Sequence, residues 1–404
     1  MSDVLIVGAG PAGATAARRL ALGGARVRLI DRERFPRNKP CGGAISIRAL
    51  TRFPYLRGAL ARIPTHYISR LHLESPSGES IVLKSDSPAA LMIRRVEFDH
   101  LLVQLAVEAG AELISGVEMS QAVTVNGGIR LRARDGRSFS APMVIAADGV
   151  HSVVARRLGL NPGWPRRSIA LDMMEETPNE TLHASDPDTL WVAYGYERSD
   201  GYAYVFPKRN HVNVGIGCLI SYYRDAVRQR PYDVQRRFVT SLTAKDVLRG
   251  SSSRPHFTPF LIPVGGPLPE TGRDRVLLTG DAGGFVNAFS AEGIYYAMVT
   301  GELAGTAILS GAPNTYESLW RREFGAELRD AVWVQRYLFA NATRVDAMVR
   351  GARAYPAIAS GLVDYAVGSR TYRSARMRLI SRLPAVAARV ALSGLLGSGF
   401  QPGL

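Results

Sequence analysis

The stretch "DVLIVGAGPAGATAARRLALGGARVRLIDRE", residues 3–33, determines the fold of the first part of the chain. A short apolar run from Val4 to Val7 is followed at once by glycines, and residues 12–22 are rich in good helix formers. A second apolar run, residues 27–30, ends on Asp31. The pattern predicts a strand, a tight turn, a helix and a second strand, which together form the βαβ unit of a parallel sheet.

Three glycines in this stretch have the spacing G-x-G-x-x-G between the strand and the helix. The first permits the tight turn, the second lets the backbone approach a pyrophosphate, and the third lets the helix pack close to the strand. The helix N-terminus then faces the phosphate, and an acid about 20 residues on accepts hydrogen bonds from a ribose hydroxyl. The segment predicts a Rossmann-like dinucleotide site with the contacts Gly8, Gly10, Pro11, Ala12, Gly13, Asp31 and Arg32.

The composition is that of an ordinary globular protein with an unusual charge. The chain has 404 residues, which suggests two or three domains, and 46% of them are hydrophobic. Its formal net charge of +15 comes almost wholly from arginine, since there are only four lysines. The arginines are scattered, so they reflect either a compositional bias or anionic partners. No nucleic-acid-binding pattern accompanies them, and no nucleic-acid partner is expected.

The cysteines indicate a reducing compartment. Cys41 and Cys218 are the only two and lie far apart, so no disulfide framework is expected. Cys41 has no cysteine or histidine nearby in sequence, which predicts no metal site. No signal peptide and no apolar run of about 18 residues is present, so we expect a cytoplasmic protein without a transmembrane helix.

The order of patterns predicts an α/β fold in which one domain interrupts another. Residues 1–70, 92–165 and 270–310 form a discontinuous Rossmann-like nucleotide-binding domain. Residues 71–91 and 166–269 are rich in strands and aromatic side chains and form an antiparallel β-rich substrate domain. Residues 311–404 form a helical C-terminal region.

Three further segments carry a resemblance to a flavoprotein fold. "AADGVHSVVARRLG" (residues 146–159), "VLLTGDAGGFVNAFSAEGIYYAM" (276–298) and "MIRRVEFDHLL" (92–102) resemble motifs of FAD-dependent oxidoreductases of the para-hydroxybenzoate hydroxylase fold. The resemblance implies FAD as cofactor, with Asp281 bonding the ribityl hydroxyls. The contacts it implies are Arg95, Asp148, Gly149, Gly280, Asp281, Gly284, Gly293 and Ile294. This chain has Ala288 where that family usually has proline and Ala291 where it often has glycine, which leaves the shape of this loop open.

Two other segments indicate which flavoenzymes are related. "KPCGGAIS" (residues 39–46) and "GYAYVFPKRNHVNVGIG" (201–217) resemble the geranylgeranyl reductase family, and the resemblance covers about residues 1–310. It implies hydride transfer from reduced FAD to a C=C bond of a prenyl-type or other hydrophobic substrate, with a proton added to the other carbon. The sequence does not name the electron donor, for which NADPH, NADH and ferredoxin are the candidates, and an electron-donor protein is a candidate partner.

Within that family resemblance, the candidate catalytic residues are Cys41, Gly42 and Tyr204. Cys41 supplies the proton or packs against the flavin, and Gly42 and Gly43 leave room for cofactor and substrate. Cys41, Gly42 and Gly43 are therefore also predicted cofactor contacts. Tyr204 shares a strand face with two other aromatic residues, as an apolar substrate wall requires. Two lysines lie in these two segments. We expect Lys39 to neutralise a phosphate or to cap the loop, and Lys208 to be a charged residue at the rim of the site.

Alternatives remain at this stage. The same fold supports flavin monooxygenases and halogenases that act on aromatic or bulky substrates, although tyrosines replace both tryptophans of the halogenase segment here. The segment "ARMRLISRLPAVAARVALSGLLGSGF" (residues 375–400) is either a peripheral contact with the inner face of the membrane or an ordinary helix that covers the substrate domain.

Overall fold

A six-stranded sheet forms the first layer of the computed structural model, which describes residues 3–85, 87–354 and 359. Five of its strands are parallel, and the edge strand is antiparallel. Across the sheet, the order is Gly272–Arg273, Val276–Leu278, Met143–Ala146, Val4–Val7, Val27–Asp31 and Glu112–Ser115. The strands predicted at residues 4–7 and 27–30 are both present, because each is a short apolar run that this sheet buries.

Two long helices cross closely above this sheet. The helices are Pro11–Leu22 and Ile294–Leu309. A Cβ atom at Gly301 would lie 2.1 Å from the carbonyl oxygen of Ala12, so only glycine permits this approach. Both helices begin beside Gly280, whose missing side chain would meet the Cβ atoms of Ala12 and Ala297. Two helix N-termini therefore meet at the carboxyl edge of the parallel strands, where open α/β sheets bind their ligands.

A seven-stranded sheet forms the second layer. It is antiparallel except for one parallel pair, between Thr189–Tyr194 and Arg70–Glu74. Its order is Phe260–Pro263, Ile169–Pro178, His211–Leu219, Tyr202–Pro207, Thr189–Tyr194, Arg70–Glu74 and Ser80–Lys84. One face packs against the helix Pro231–Ala244, and the other carries aromatic side chains into a cleft. The predicted β-rich sheet with one aromatic face is confirmed.

Smaller sheets complete the β structure. A meander follows the order Met119–Val125, Gly128–Ala133 and Ser138–Ala141. A second small sheet contains His66–Ile68, Ala90–Met92 and Ala44–Ser46. A two-stranded pair joins Leu182–Ala184 to Leu248–Gly250. The strand Ala44–Ser46 begins three residues after Cys41, so this sheet anchors one end of the cysteine loop.

The remaining helices lie around these sheets. They are Arg48–Arg52, Tyr55–Ala59, Arg95–Glu108, Val153–Arg157, Ile220–Tyr222, Pro231–Ala244, Tyr316–Trp320, Ala326–Phe339 and Ala342–Ala354. The last three confirm a helical region after residue 315 up to residue 354. The segment 375–400 lies outside the described residues. In the described part of the chain, every helix is too short or too polar to cross a bilayer. The α/β fold class is confirmed, while the domain boundaries stay a prediction.

Candidate active site

A deep cleft lies between the carboxyl edge of the parallel sheet and the aromatic face of the seven-stranded sheet. Its empty volume, including the open mouth, is about 2570 Å³. The cleft reaches from the glycine loop, at Gly8 and Gly10, to the aromatic strand, at Tyr204 and Phe206, so a dinucleotide position and an apolar wall share it. Most of the predicted site residues line it, although the first and the last of them, Gly8 and Ile294, lie 286 residues apart in the chain.

The phosphate loop has the geometry that its glycines predict. Gly8 has φ +96°, and a Cβ there would lie 2.2 Å from the Ala147 carbonyl oxygen. A Cβ at Gly13 would lie 1.8 Å from the Gly8 oxygen, so Gly13 serves the contact between helix and strand and does not line the cleft. Gly10 instead faces the cleft, where an added Cβ would lie 3.7 and 3.9 Å from guanidinium nitrogens of Arg37 and Arg95. A pyrophosphate fits this open position, because backbone and positive charge surround it.

Two arginines share one buried carboxylate beside the phosphate loop. Arg95 donates two hydrogen bonds to Asp99, at 2.6 and 2.7 Å, and Arg37 lies 2.8 Å from the same carboxylate. Burial opposes the charge of Asp99, but the two guanidinium groups hold its pKa below the usual value. Two cations and one anion leave net positive charge where the pyrophosphate of a dinucleotide would lie. Sequence reasoning identified Arg95 but missed Arg37 and Asp99.

The acidic residue at the end of the second strand holds the glycine loop in place. Asp31 accepts hydrogen bonds from the backbone N–H groups of Ala9, at 2.6 Å, and Glu33, at 2.9 Å. Asp31 and its neighbour Arg32 both line the cleft. The carboxylate therefore couples the shape of the loop to the position predicted for a ribose.

Asp148 and Gly149 also line the cleft, but the Asp148 carboxylate has internal partners. It accepts hydrogen bonds from the Ser152 hydroxyl, at 2.6 Å, and from the N–H groups of Val153 and Val154. These bonds satisfy the first turn of the helix Val153–Arg157. Asp148 thus holds the loop beside the cofactor position, and Gly149, at φ +80°, completes the turn.

The segment of residues 276–298 brings most of its predicted cofactor contacts to the cleft. Gly280, Asp281, Gly293 and Ile294 line it, and the last two begin the helix Ile294–Leu309. Gly284 does not, because its position packs against the Gly266 carbonyl and the Trp164 ring. A carboxylate beside a helix N-terminus suits a polyol next to a phosphate. The residues present therefore fit FAD.

The loop before this helix shows why glycine suits one of its positions. Ala291 has φ +54°, in the left-handed region that favours glycine. The backbone thus adopts a glycine-type turn although the residue is alanine. Ala288 is buried against Ala331 and Val264, where no special backbone angle is required.

The cysteine loop is fastened to the seven-stranded sheet. The Cys41 carbonyl accepts hydrogen bonds from the Asn213 amide, at 3.2 Å, and the Lys208 ammonium, at 3.5 Å. A Cβ at Gly42 would lie 2.7 Å from the Phe206 ring, so the loop lies directly on the aromatic wall. Cys41, Gly42 and Gly43 all line the cleft, and the Cys41 thiol accepts a hydrogen bond from the Gly43 N–H at 3.4 Å.

The two lysines near this loop differ in their surroundings. Lys208 is 4% exposed and pairs with Glu176, so the prediction of a charged rim residue is wrong. The ammonium of Lys39 lies 3.9 Å from the Asp281 carboxylate and 4.1 Å from the centre of the Phe260 ring. Lys39 therefore balances the charge of Asp281 inside the cleft.

Aromatic rings form the far wall of the cleft. Tyr202, Tyr204 and Phe206 share one face of their strand, as predicted, and the Tyr204 and Phe206 ring centres lie 4.4 Å apart. The Tyr202 hydroxyl donates a hydrogen bond to the Ser290 carbonyl at 2.9 Å, which ties the wall to the loop before the helix Ile294–Leu309. Tyr194 extends the wall.

Sequence reasoning missed two groups of polar residues in this cleft. Asp172 lies on the aromatic face, and an isolated acid in the apolar run "IALDMM" was the available signal. Arg48, Glu292 and Glu327 form an ion cluster at the other end, joining residues up to 279 positions apart, which no local pattern indicates. Among the described residues, no group of three histidine, cysteine, aspartate or glutamate side chains could hold a metal ion.

Comparison with known proteins identifies the family. The family described as "FAD binding domain" matches residues 1–300. Menaquinone reductase of Mycolicibacterium smegmatis is 31% identical over 341 residues, which is 79% of each chain. The chloroplastic geranylgeranyl diphosphate reductase of Oryza sativa subsp. japonica is 31% identical over 332 residues, covering 77% of this chain and 67% of that protein.

Solved structures show the same fold. A geranylgeranyl bacteriochlorophyll reductase-like protein from Thermoplasma acidophilum superposes with a TM-score of 0.79 at 23% identity, covering 94% of this chain and 98% of that one. A flavin-dependent brominase superposes with a TM-score of 0.70 at 16% identity, covering 91% and 93% of the two chains. At these identities the structures establish the fold alone. The family model and the sequence relatives, together with a cleft that fits FAD, show that the chain is an FAD-dependent oxidoreductase of the geranylgeranyl reductase family.

Proposed function

We propose that this enzyme reduces C=C bonds in the prenyl chain of a lipid-soluble substrate. The names of the sequence relatives include reductases of menaquinone and of geranylgeranyl diphosphate. When bound, reduced FAD supplies the hydride. The protein's part is to hold the double bond against the flavin, to exclude water and to provide a proton.

The aromatic wall opposite the phosphate loop is the observation that carries this proposal. An isolated double bond offers little polarity, so a site must position it by shape. Tyr202, Tyr204 and Phe206 provide such a surface, and the missing Gly42 side chain allows the cysteine loop to approach it. A flat apolar slot between this wall and the flavin position suits a prenyl chain.

The proposed roles of the other residues follow from their positions. Gly8, Gly10 and Arg95 hold the pyrophosphate, and Asp281 bonds the ribityl chain. Gly13 and Gly284 act through packing. Cys41 lies where the cofactor and the wall meet, and it is a candidate to contact both.

Contact with a membrane surface would give access to such a substrate. Trp333 is 64% exposed and stacks on Tyr337, with ring centres 5.2 Å apart, on the helix Ala326–Phe339. Arg344 lies 4.1 Å above the Tyr337 ring. Amphipathic rings beside cations suit a headgroup layer.

We place the enzyme at the cytoplasmic face of the membrane. Flotation with anionic vesicles, compared between wild type and Trp333→Ser, tests this contact.

Anaerobic turnover tests the proposed reaction. The enzyme is loaded with FAD, photoreduced without oxygen and incubated with menaquinones and geranylgeranylated lipids, and the products are analysed by mass spectrometry. A gain of two hydrogens in the prenyl chain is expected, and for menaquinones it is measured after the quinone ring has been reoxidised in air. A gain of one oxygen that occurs only in air would overturn the proposal. Repeating the reaction with NADPH, NADH or reduced ferredoxin in place of light identifies the electron donor.

A further inference from the structure

An acid and a phenol form a buried pair in the aromatic wall. The Tyr204 hydroxyl donates to the Asp172 carboxylate, with distances of 3.0 and 3.3 Å to its two oxygens. Asp172 is 6% exposed and Tyr204 is 3% exposed, yet both line the cleft. An acid in such a place is costly unless it is partnered, so its presence requires an explanation.

The fold creates this pair by omitting a side chain between its members. Asp172 and Tyr204 lie on strands separated by the strand His211–Leu219. In the register of the sheet, Tyr204 lies opposite Gly215 and Asp172 lies opposite Gly217. A Cβ at Gly215 would lie 2.5 Å from both the Cζ and the hydroxyl oxygen of Tyr204. The ring therefore lies across Gly215 and reaches the carboxylate, which any larger residue there would prevent.

The surroundings of Asp172 contain few charges. Tyr202 and Tyr204 face it from one side, and Phe260 lies opposite it on the edge strand. Lys39 is the cation that acts on it, although the ion-pair partner of Lys39 is Asp281.

Two thiols complete the titratable groups around this acid. Cys41 lies in the loop that covers the wall, and it is an electrostatic neighbour of Tyr202 and Tyr204. Cys218 lies on the opposite face of the sheet, among buried apolar side chains. Within the described chain, no cation lies at ion-pair distance from Asp172.

We propose that Asp172 is the proton donor of the reduction and that Tyr204 positions it. This inference rests on the proposed function. One carbon of the double bond receives the hydride from reduced FAD, and the π electron pair of the bond takes the proton from the Asp172 carboxyl group at the other carbon. The O–H bond of the acid breaks, a carboxylate remains, FAD is left oxidised, and the acid regains its proton from water.

The protonation of Asp172 agrees with this role. Burial raises its pKa to about 6, while the Tyr204 hydrogen bond and the charge of Lys39 act in the opposite direction. Burial also raises the pKa of Tyr204 well above its usual value, so the phenol is the weaker acid of the pair. Because the acid donates only when protonated, the reduction rate falls about tenfold per pH unit above pH 6.

The test compares three forms of the FAD-loaded, full-length enzyme under anaerobic conditions. Reoxidation of the photoreduced flavin by a geranylgeranylated lipid, which has no quinone ring to take the electrons, is followed in single turnover from pH 5 to 8.5. Asp172→Asn is expected to lower the rate by about 100-fold or more. It should also remove the fall in rate above pH 6, which we call the pH limb. Tyr204→Phe is expected to move that limb to higher pH, because the lost hydrogen bond favoured the carboxylate. FAD affinity, measured by flavin fluorescence, should be the same in all three.

A direct titration keeps the proposal testable if Asp172→Asn does not fold. In wild-type protein labelled with ¹³C-aspartate, two carboxyl signals should titrate near pH 6, because burial raises the pKa of both Asp172 and Asp200 to about 6. Only the Asp172 midpoint should rise in Tyr204→Phe, because Tyr204 bonds that carboxylate. Absence of a signal whose midpoint rises in Tyr204→Phe overturns the proposal. A wild-type rate and pH profile in Asp172→Asn also overturns the proposal. If the pH limb is lost in Cys41→Ala and kept in Asp172→Asn, the proton donor is the thiol and the proposal is likewise overturned. Oxygenation in air with no anaerobic reduction would refute the proposed function itself, whereas these outcomes concern only the donor.

Discussion

Replacing Arg48 with methionine is expected to destabilise the protein by about 4 kcal/mol, because it leaves two carboxylates without their cation. The guanidinium donates to Glu327 at 2.8 Å, to Glu292 at 2.7 Å and to the Tyr296 hydroxyl at 2.8 Å. The side chains of Arg48, Glu292 and Glu327 are only 15%, 16% and 9% exposed. Burial opposes the charge of Arg48, yet its partners raise its pKa above the usual value, so it stays charged throughout the working range.

The assay is urea unfolding of the full-length enzyme in saturating FAD, followed by far-ultraviolet circular dichroism. Arg26→Met is the matched control, because Arg26 pairs with Asp3 at 2.8 Å but the two side chains are 68% and 44% exposed. An exposed pair contributes about 0–1 kcal/mol, so this control should change little. Adding Glu327→Gln to Arg48→Met should recover about 1–3 kcal/mol, since one unpaired charge is removed. A loss below about 1 kcal/mol in Arg48→Met, equal to the control, would refute the reasoning.

Three further predictions concern the cofactor loops. Ala291→Gly should stabilise the protein by about 0.5–1 kcal/mol in the same unfolding assay, because φ +54° strains alanine. Gly159→Ala should destabilise it by a similar amount, because Gly159 has φ +71° and open space around it, so only the backbone angle opposes alanine. Asp281→Asn should lower FAD affinity by about tenfold, measured by fluorescence titration, through loss of a charged hydrogen-bond acceptor; unchanged affinity would remove it from the ribityl site. Cys41→Ala should leave FAD affinity unchanged but slow the single-turnover reduction, if the thiol works at the flavin, and an unchanged rate would reduce it to packing.

Local sequence patterns predicted the FAD-binding half of the site well. The positive φ of Gly8, the contact of Gly13 with Gly8 and the bond from Ala9 to Asp31 depend on residues within one βαβ unit, so their geometry is encoded locally. The motif at residues 276–298 placed Gly280 and Asp281 at the cleft for the same reason. It also included Gly284, which packs elsewhere, because a motif does not reveal which face each glycine presents.

The substrate half depended on which strands became neighbours. The alternation of Tyr202, Tyr204 and Phe206 predicted a shared face, but it could not show that Gly215 lets Tyr204 reach Asp172. That contact spans three strands whose order follows from the packing of the whole sheet. Reading a pair of this kind from sequence would require knowing the register in advance.

The sequence by itself determined the α/β class, the phosphate loop, the cofactor and the family, because each is encoded in short segments with their own backbone requirements. Only the tertiary structure decided which charges are buried and with which partners. Lys208, predicted at the rim, lies inside against Glu176, and Arg48 joins Glu292 and Glu327 across the cleft. The pKa of Asp172 is likewise set by burial. Burial and charge pairing arise from contacts between distant segments, and for that reason the proposed proton donor emerged only from the folded chain.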